Sequence, residues 1–160
     1  MSEEISRDYV HGVYTELLAR EGFRPKTDED GDIQFRNQGF TTYIRISEDD
    51  LPFLQMFIPS VYTLESGEED TVALAVMAEL NRQFKLVKVC RLDHSVAVLV
   101  EMLLAQPEDL GGSLLRIADV LVVVAHEFHR LMSAALRERQ RQAESELDED
   151  DLPMPTRTVN

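Results

Sequence analysis

The stretch LGGSLLRIADVLVVVAHEFHRLMSAA, residues 110–135, predicts one long helix near the end of the chain. Leu110, Leu114, Ile117, Leu121, Val124, Phe128, Leu131 and Ala135 step by alternating fours and threes, the period of a helical seam. Gly111 and Gly112 weaken its start, which makes Ser113 the natural N-cap. The charged tract Arg137 to Arg141 carries the helix on to about Ala143. A seam of this length fits two arrangements: packing onto a second chain, or one helix lying across its own sheet. The first makes Leu114, Ile117, Leu121, Val124 and Phe128 candidates for a dimer face.

Immediately upstream, Leu86 to Leu92 and Ser95 to Leu104 flank the Asp93-His94 turn and read as a valine-rich hairpin, with Val96, Val98, Val100 and Met102 aligned. Before it, Val72, Val76, Leu80 and Phe84 recur every four residues, which predicts an amphipathic helix over about Glu69 to Phe84. Three strands precede that helix. Ile33 to Arg36 is short and follows an acidic turn around Gly31. Phe40 to Ser47 alternates cleanly, with Phe40, Thr42, Ile44 and Ile46 on one face and Thr41, Tyr43 and Arg45 on the other. Phe53 to Tyr62 is apolar on both sides in its first half, which predicts cover on both sides. A first helix starts from a cap at Ser2, presents Ile5, Tyr9, Val13 and Leu17, and stops at Gly22. The expected fold is α+β, an antiparallel sheet packed on helices in the order α-β-β-β-α-β-β-α.

The 160 residues carry 16 Lys and Arg against 30 Asp and Glu, a formal charge of -14. Such acidity disfavours binding to phosphate backbones and anionic lipid. The charge is unevenly spread: Glu144 to Asn160 holds 6 acids and 1 base, net -5, which leaves -9 for residues 1–143. Residues 1–143 therefore read as one domain and 144–160 as an acidic, proline-ended disordered tail that either keeps the protein soluble or competes for a basic groove. The single Cys90 forms no internal bridge, and the amino terminus lacks the order of a signal peptide, so the expected compartment is the cytoplasm. The longest near-apolar run, Leu114 to Ala125, is too short to span a membrane.

Motifs for chemistry are weak. His126 and His129 lie three apart on a helix, where a zinc-protease pair lies four apart, and a metal would need a third ligand such as Asp119 or His94. Asp28, Asp30 and Asp32 have glycine at the fourth position of the run, where a calcium loop has it at the sixth, and a hairpin turn accounts for them. Gly111-Gly112-Ser113 lacks the lysine of a phosphate loop, and no serine sits in a nucleophile elbow. No cofactor is called for.

The element order, with Ala78-Glu79-Leu80-Asn81-Arg82-Gln83 leading into the hairpin, resembles the YbjN-type family over about Ile5 to Leu136. Gly22-Phe23 at the end of the first helix, Gly31 and Phe35 in the first hairpin, and the hydrophobic last hairpin add to the likeness. That family is similar in fold to the class I chaperones of type III secretion. The resemblance implies a small dimer without enzymatic activity that holds extended segments of other proteins, or a regulatory factor. Read together, the residues and the likeness predict a homodimeric protein-binding domain whose contacts include Tyr43, Arg45, Phe53, Phe57, Val98 and Val100. The net charge predicts a basic partner. Two alternatives are an acidic modulator of a nucleic-acid-binding protein, acting through Glu144 to Asp151, and a metal-dependent enzyme built on His126 and His129.

Overall fold

A computed structural model describes residues 5–49, 51 and 53–150. The first helix, α1 (Arg7–Arg20), is followed by β1 (Lys26–Thr27), β2 (Ile33–Asn37), β3 (Phe40–Arg45) and β4 (Phe53–Thr63). Then come α2 (Gly67–Gln83), β5 (Val87–Leu92), β6 (Ser95–Leu103), a 3-10 turn (Pro107–Gly112) and α3 (Leu114–Asp150). The six strands form one antiparallel sheet in the order β1-β2-β3-β4-β6-β5. This is the expected α+β architecture, with β1 as one additional short strand.

Alternation along each strand divides the sheet into two faces. Ile33, Phe35, Ile44, Leu54, Met56, Ile58, Val87, Val89, Val96, Val98 and Val100 turn to the helices and are buried. They share a single core with Val10, Tyr14 and Leu18 of α1, Val72, Val76 and Leu80 of α2, and the seam of α3. Asn37 adds a polar tie, donating to the Ala118 carbonyl of α3 at 3.2 Å.

The seam is thereby settled. Leu114, Ile117, Leu121, Val124 and Phe128 are each at most 2% exposed within one chain. They are core residues under the sheet and are not free for a dimer face. Ser113 stands just before α3, its backbone carbonyl accepting from the Ile117 N–H, after a 3-10 turn that opens on Pro107. Gly111 fits because a Cβ there would lie 3.1 Å from a methyl of Leu17, so its absence lets α1 close against the turn. The helix runs 37 residues, about 55 Å. It passes Ala143, where the sequence pattern ended it, and takes in Glu144 to Leu147, all exposed. Residues 151–160 of the expected tail lie outside the described residues.

Two further expectations shift. The cap of α1 is Ser6, whose hydroxyl accepts from the Tyr9 N–H, and the buried stripe is Val10, Tyr14 and Leu18, one residue on from the expected Tyr9, Val13 and Leu17. The proposed cap Ser2 lies outside the described residues. The helix packs against the 3-10 turn, and Tyr14 and Leu18 reach the core while Val13 and Leu17 sit at its margin.

The Ala78–Gln83 motif also has a structural function. Leu80 is fully buried, and Asn81 faces the free edge of β5. Its Nδ2 donates to the Val89 carbonyl at 2.9 Å and its Oδ1 accepts from the Val89 N–H at 2.8 Å. An amide side chain thus occupies the backbone groups that another strand would use, which blunts this edge against strand addition. At the opposite edge β1 pairs with only Ile33 and Gln34 of β2.

Candidate functional site on the open sheet face

The second face of the sheet is built by the residues that alternate with the core. On β2 they are Gln34 and Arg36, on β3 Thr41, Tyr43 and Arg45, on β4 Phe53, Gln55 and Phe57. On β6 they are Leu99, Glu101 and Leu103, and on β5 Lys88, Cys90 and Leu92. Phe53 and Phe57 are half-buried and Leu103 is 75% exposed, whereas their neighbours Leu54 and Met56 are fully buried. The helices bury only one face, so the expected cover on both sides of β4 is not present among the described residues. The apolar residues on its second face are available.

The strand register lines up one row across the whole sheet. Lys26 pairs with Gln34, Gln34 with Tyr43, Tyr43 with Phe57, Phe57 with Leu99, and Leu99 with Lys88. An aromatic and aliphatic centre is therefore flanked by a cation at each end. Tyr43 and Phe57 stack with ring centroids 5.6 Å apart, and the Arg45 guanidinium lies over the Phe57 ring at 5.1 Å. These contacts hold the rings against the sheet, so a ligand would meet a pre-ordered surface.

The charged residues around this centre are mostly cations. Lys88 pairs with Glu101, which also accepts from Gln55 Nε2 at 2.7 Å. The Lys88 ammonium holds the Glu101 carboxyl below its ordinary value. Arg45 approaches Asp32 at 3.6 Å, and Arg36 donates to the Thr41 hydroxyl at 2.8 Å. Arg24, Lys26 and Arg36 border one shallow cavity of about 160 Å³. Cys90 is half-buried on this face, and desolvation pushes its thiol upward, away from the reactive thiolate.

Of the residues singled out from sequence, Tyr43, Arg45, Phe53 and Phe57 all fall on this face. Val98 and Val100 do not: both are fully buried beneath the helices. The run Ser95-Val-Ala-Val-Leu-Val-Glu-Met-Leu103 is apolar at both parities, so its pattern did not say which residues faced inward. Their neighbours Leu99, itself only 8% exposed, and Leu103 take the places on the open face. Glu101 was the missed signal, because a charge inside such a strand marks the outward parity.

His126 and His129 are engaged separately. The first packs edge-on to Phe40, with ring centroids 5.2 Å apart, and the second lies against Tyr62 at 5.5 Å. Among the described residues no group of three His, Cys, Asp or Glu side chains is placed to hold a metal ion. Asp28 forms a turn, its carboxylate accepting from the N–H groups of Asp30 and Asp32. Among the described residues no helix is long and apolar enough to cross a membrane.

A comparison with curated proteins found no match. A comparison with protein families matched TY-Chap1, described as the T3SS (YopN, CesT) and YbjN peptide-binding chaperone 1, over residues 6–150. The match takes in every helix and strand of the fold described above. An antiparallel sheet with one face against helices and a pre-ordered apolar row on the other accords with it, and the chain belongs to this family of peptide-binding chaperones.

Proposed function

We propose that this protein is a cytoplasmic, non-enzymatic, homodimeric chaperone-like binding protein that holds an extended segment of another protein on the open face of its sheet. The row from Lys26 through Tyr43, Phe57 and Leu99 to Lys88 carries this reading. Burial of apolar area there supplies affinity, at about 25 cal/mol per Å² of apolar surface covered. Rings already fixed by stacking lose little freedom on contact. Tyr43, Arg45, Phe53 and Phe57 are the contacts, joined by Leu103, with Leu99, only 8% exposed, as the floor between them.

Support for two copies comes from α3. From Arg137 to Leu147 it is exposed, and an isolated helix of that length is marginal in water without a partner surface. Beside it, Ala75, Leu131, Ala134 and Ala135 line a groove between α2 and α3, where small side chains let another helix approach closely.

Photo-crosslinking tests the binding face. A crosslinking amino acid at position 57 should capture a bound segment, whereas one at Val123, 52% exposed on the helical side, should not. Equal capture from both positions would refute the reading. Sedimentation analysis should give twice the chain mass, and a monomer across the micromolar range would remove the homodimer.

A further inference from the structure

We infer that the segment held on the open face is acidic at its ends: an extended stretch whose apolar centre lies over Tyr43, Phe57 and Leu99 and whose flanking carboxylates meet the cations at the sheet's two edges. This rests on the binding reading above and specifies its partner, with a charge opposite to the one the net charge of the chain predicts.

The six strands carry five cations, Lys26, Arg36, Arg45, Lys88 and Arg91, against a single acid, Glu101, in a chain of net charge -14. Four of the five, all but Arg91, stand on the open face with Glu101. Arg91 turns the other way, to Asp70 of α2 at 2.7 Å. The helices carry many of the acids instead, with Glu68, Glu69, Asp70 and Glu79 on α2 and Asp119, Glu127 and Glu138 on α3, while Asp28, Glu29, Asp30 and Asp32 stand in the turn between β1 and β2.

Distance decides which charge a ligand feels. A helix layer packs about 10 Å from a sheet, and its outer surface lies farther still, beyond the screening length of about 8 Å at physiological salt. A segment on the open face therefore meets the local cations at close range and the helical acids only across the thickness of the domain, where their pull is weaker by distance. Glu101 is already paired with Lys88, and Arg45 is partly balanced by Asp32. Arg24, Lys26 and Arg36 line one cavity and have no ion-pair partner among the described residues, while the nearby Asp28 carboxylate is taken up by the N–H groups of Asp30 and Asp32, so the β1–β2 edge can receive a carboxylate.

The span also fits. Five inter-strand steps of about 4.8 Å separate Lys26 from Lys88, roughly 24 Å, which about seven extended residues cover.

Fluorescence anisotropy with three labelled peptides tests the inference. All share a Leu-Phe-Leu centre and are flanked by pairs of Glu, Ser or Lys. The Glu-flanked peptide should bind about tenfold more tightly than the Ser-flanked one in dilute salt, lose most of that advantage near 0.5 M salt, and exceed the Lys-flanked one throughout. The double substitution Lys26→Glu and Arg36→Glu should reverse the order, and the milder Lys26→Gln and Arg36→Gln should level it, with the fold checked by circular dichroism. A Lys-flanked peptide that binds as well as or better than the Glu-flanked one overturns the inference while leaving the binding face standing. If no peptide binds, the underlying reading falls and the inference with it. If the substitutions at positions 26 and 36 abolish self-association instead, the occupant is the acidic run Glu144 to Asp151 of a second copy, and the assignment to a foreign partner is wrong.

Discussion

Each strand of this sheet serves two unlike surfaces. On β4, Leu54, Met56 and Ile58 are sealed beneath α3, while Phe53, Gln55 and Phe57, one residue out of step, face away from every helix. The helical face is dry and mostly aliphatic, with Tyr14, Phe35 and Phe128 as its largest buried side chains. The open face is aromatic and edged with cations. Similar hydrophobic residue types thus do different work: on one face they hold the fold together, and on the other they form a surface for a partner. Adjacent substitutions should therefore behave very differently.

The sharpest contrast is between neighbours. Met56→Ala should cost about 2–5 kcal/mol through lost burial and the cavity left behind. Phe57→Ala, although it removes a larger side chain, should cost no more than about 1 kcal/mol and act mainly on binding. Urea denaturation of both variants measures the difference; equal losses would mean that something covers the second face and would end the distinction.

The next largest effect falls on the edge where the two faces meet. Asn81→Ala removes both hydrogen bonds to Val89, leaving a backbone N–H and carbonyl without partners at the rim of β5. A loss of about 2 kcal/mol is expected, with a rise in self-association as the freed edge becomes a template for pairing. Light scattering as a function of concentration reads the second consequence, and a variant as monodisperse as the wild type would show that Asn81 does not guard the edge.

Tyr14 probes the dry face. It is buried, and its hydroxyl has no hydrogen-bond partner among the described residues. Burial, with the nearby Glu108 charge, pushes its ionisation up to about 12. A value raised in the folded state means that the stabilisation is intact below pH 10, the ordinary value, and is lost as pH climbs from 10 toward 12. Tyr14→Phe should match or exceed wild-type stability at neutral pH by up to about 1 kcal/mol and flatten the decline above about pH 10. A decline that is unchanged in Tyr14→Phe would assign the alkaline limb to other groups.

The smallest effect belongs to the open face. The Lys88 ammonium and the Gln55 amide hold Glu101 below the ordinary carboxylate value. A lowered folded value gives stability that is present above the unfolded value and lost as pH falls through the folded one. Glu101→Gln should remove that acid-side slope, but by less than about 1 kcal/mol, because Lys88 is more than half exposed and solvent screens the pair. A larger loss on acid titration would show the open face to be more deeply covered than its geometry indicates.

Most of the fold was legible in the chain because periodicity reports burial directly. The clean alternation of Phe40 to Ser47 put Thr42 and Ile44 on one face and Tyr43 and Arg45 on the other, and the structure buries the first pair and leaves the second on the open face. The spacing of Val72, Val76 and Leu80 set α2 in the same way. Legibility failed where a segment was apolar at both parities. In β6, Val98 and Val100 could not be told from Leu99, and in the first half of β4 a half-buried Phe57 on the open face looked like a residue covered from both sides. The start of α1 moved from Ser2 to Ser6 because two serines compete for the same cap pattern.

By itself the sequence determined the order of elements, the seam of α3, the turn at Asp28 to Asp32 and the family likeness carried by Ala78 to Gln83. Each of these depends on contacts within a few residues or on one repeating period. Only the tertiary structure decided which side of the sheet the helices cover, that Leu114 to Phe128 are consumed by the chain's own core, and that Lys26, Tyr43, Phe57, Leu99 and Lys88 stand in one row. The reason is register: residues far apart in the chain become neighbours only when strands pair, and a shift of one position would send every side chain to the opposite face.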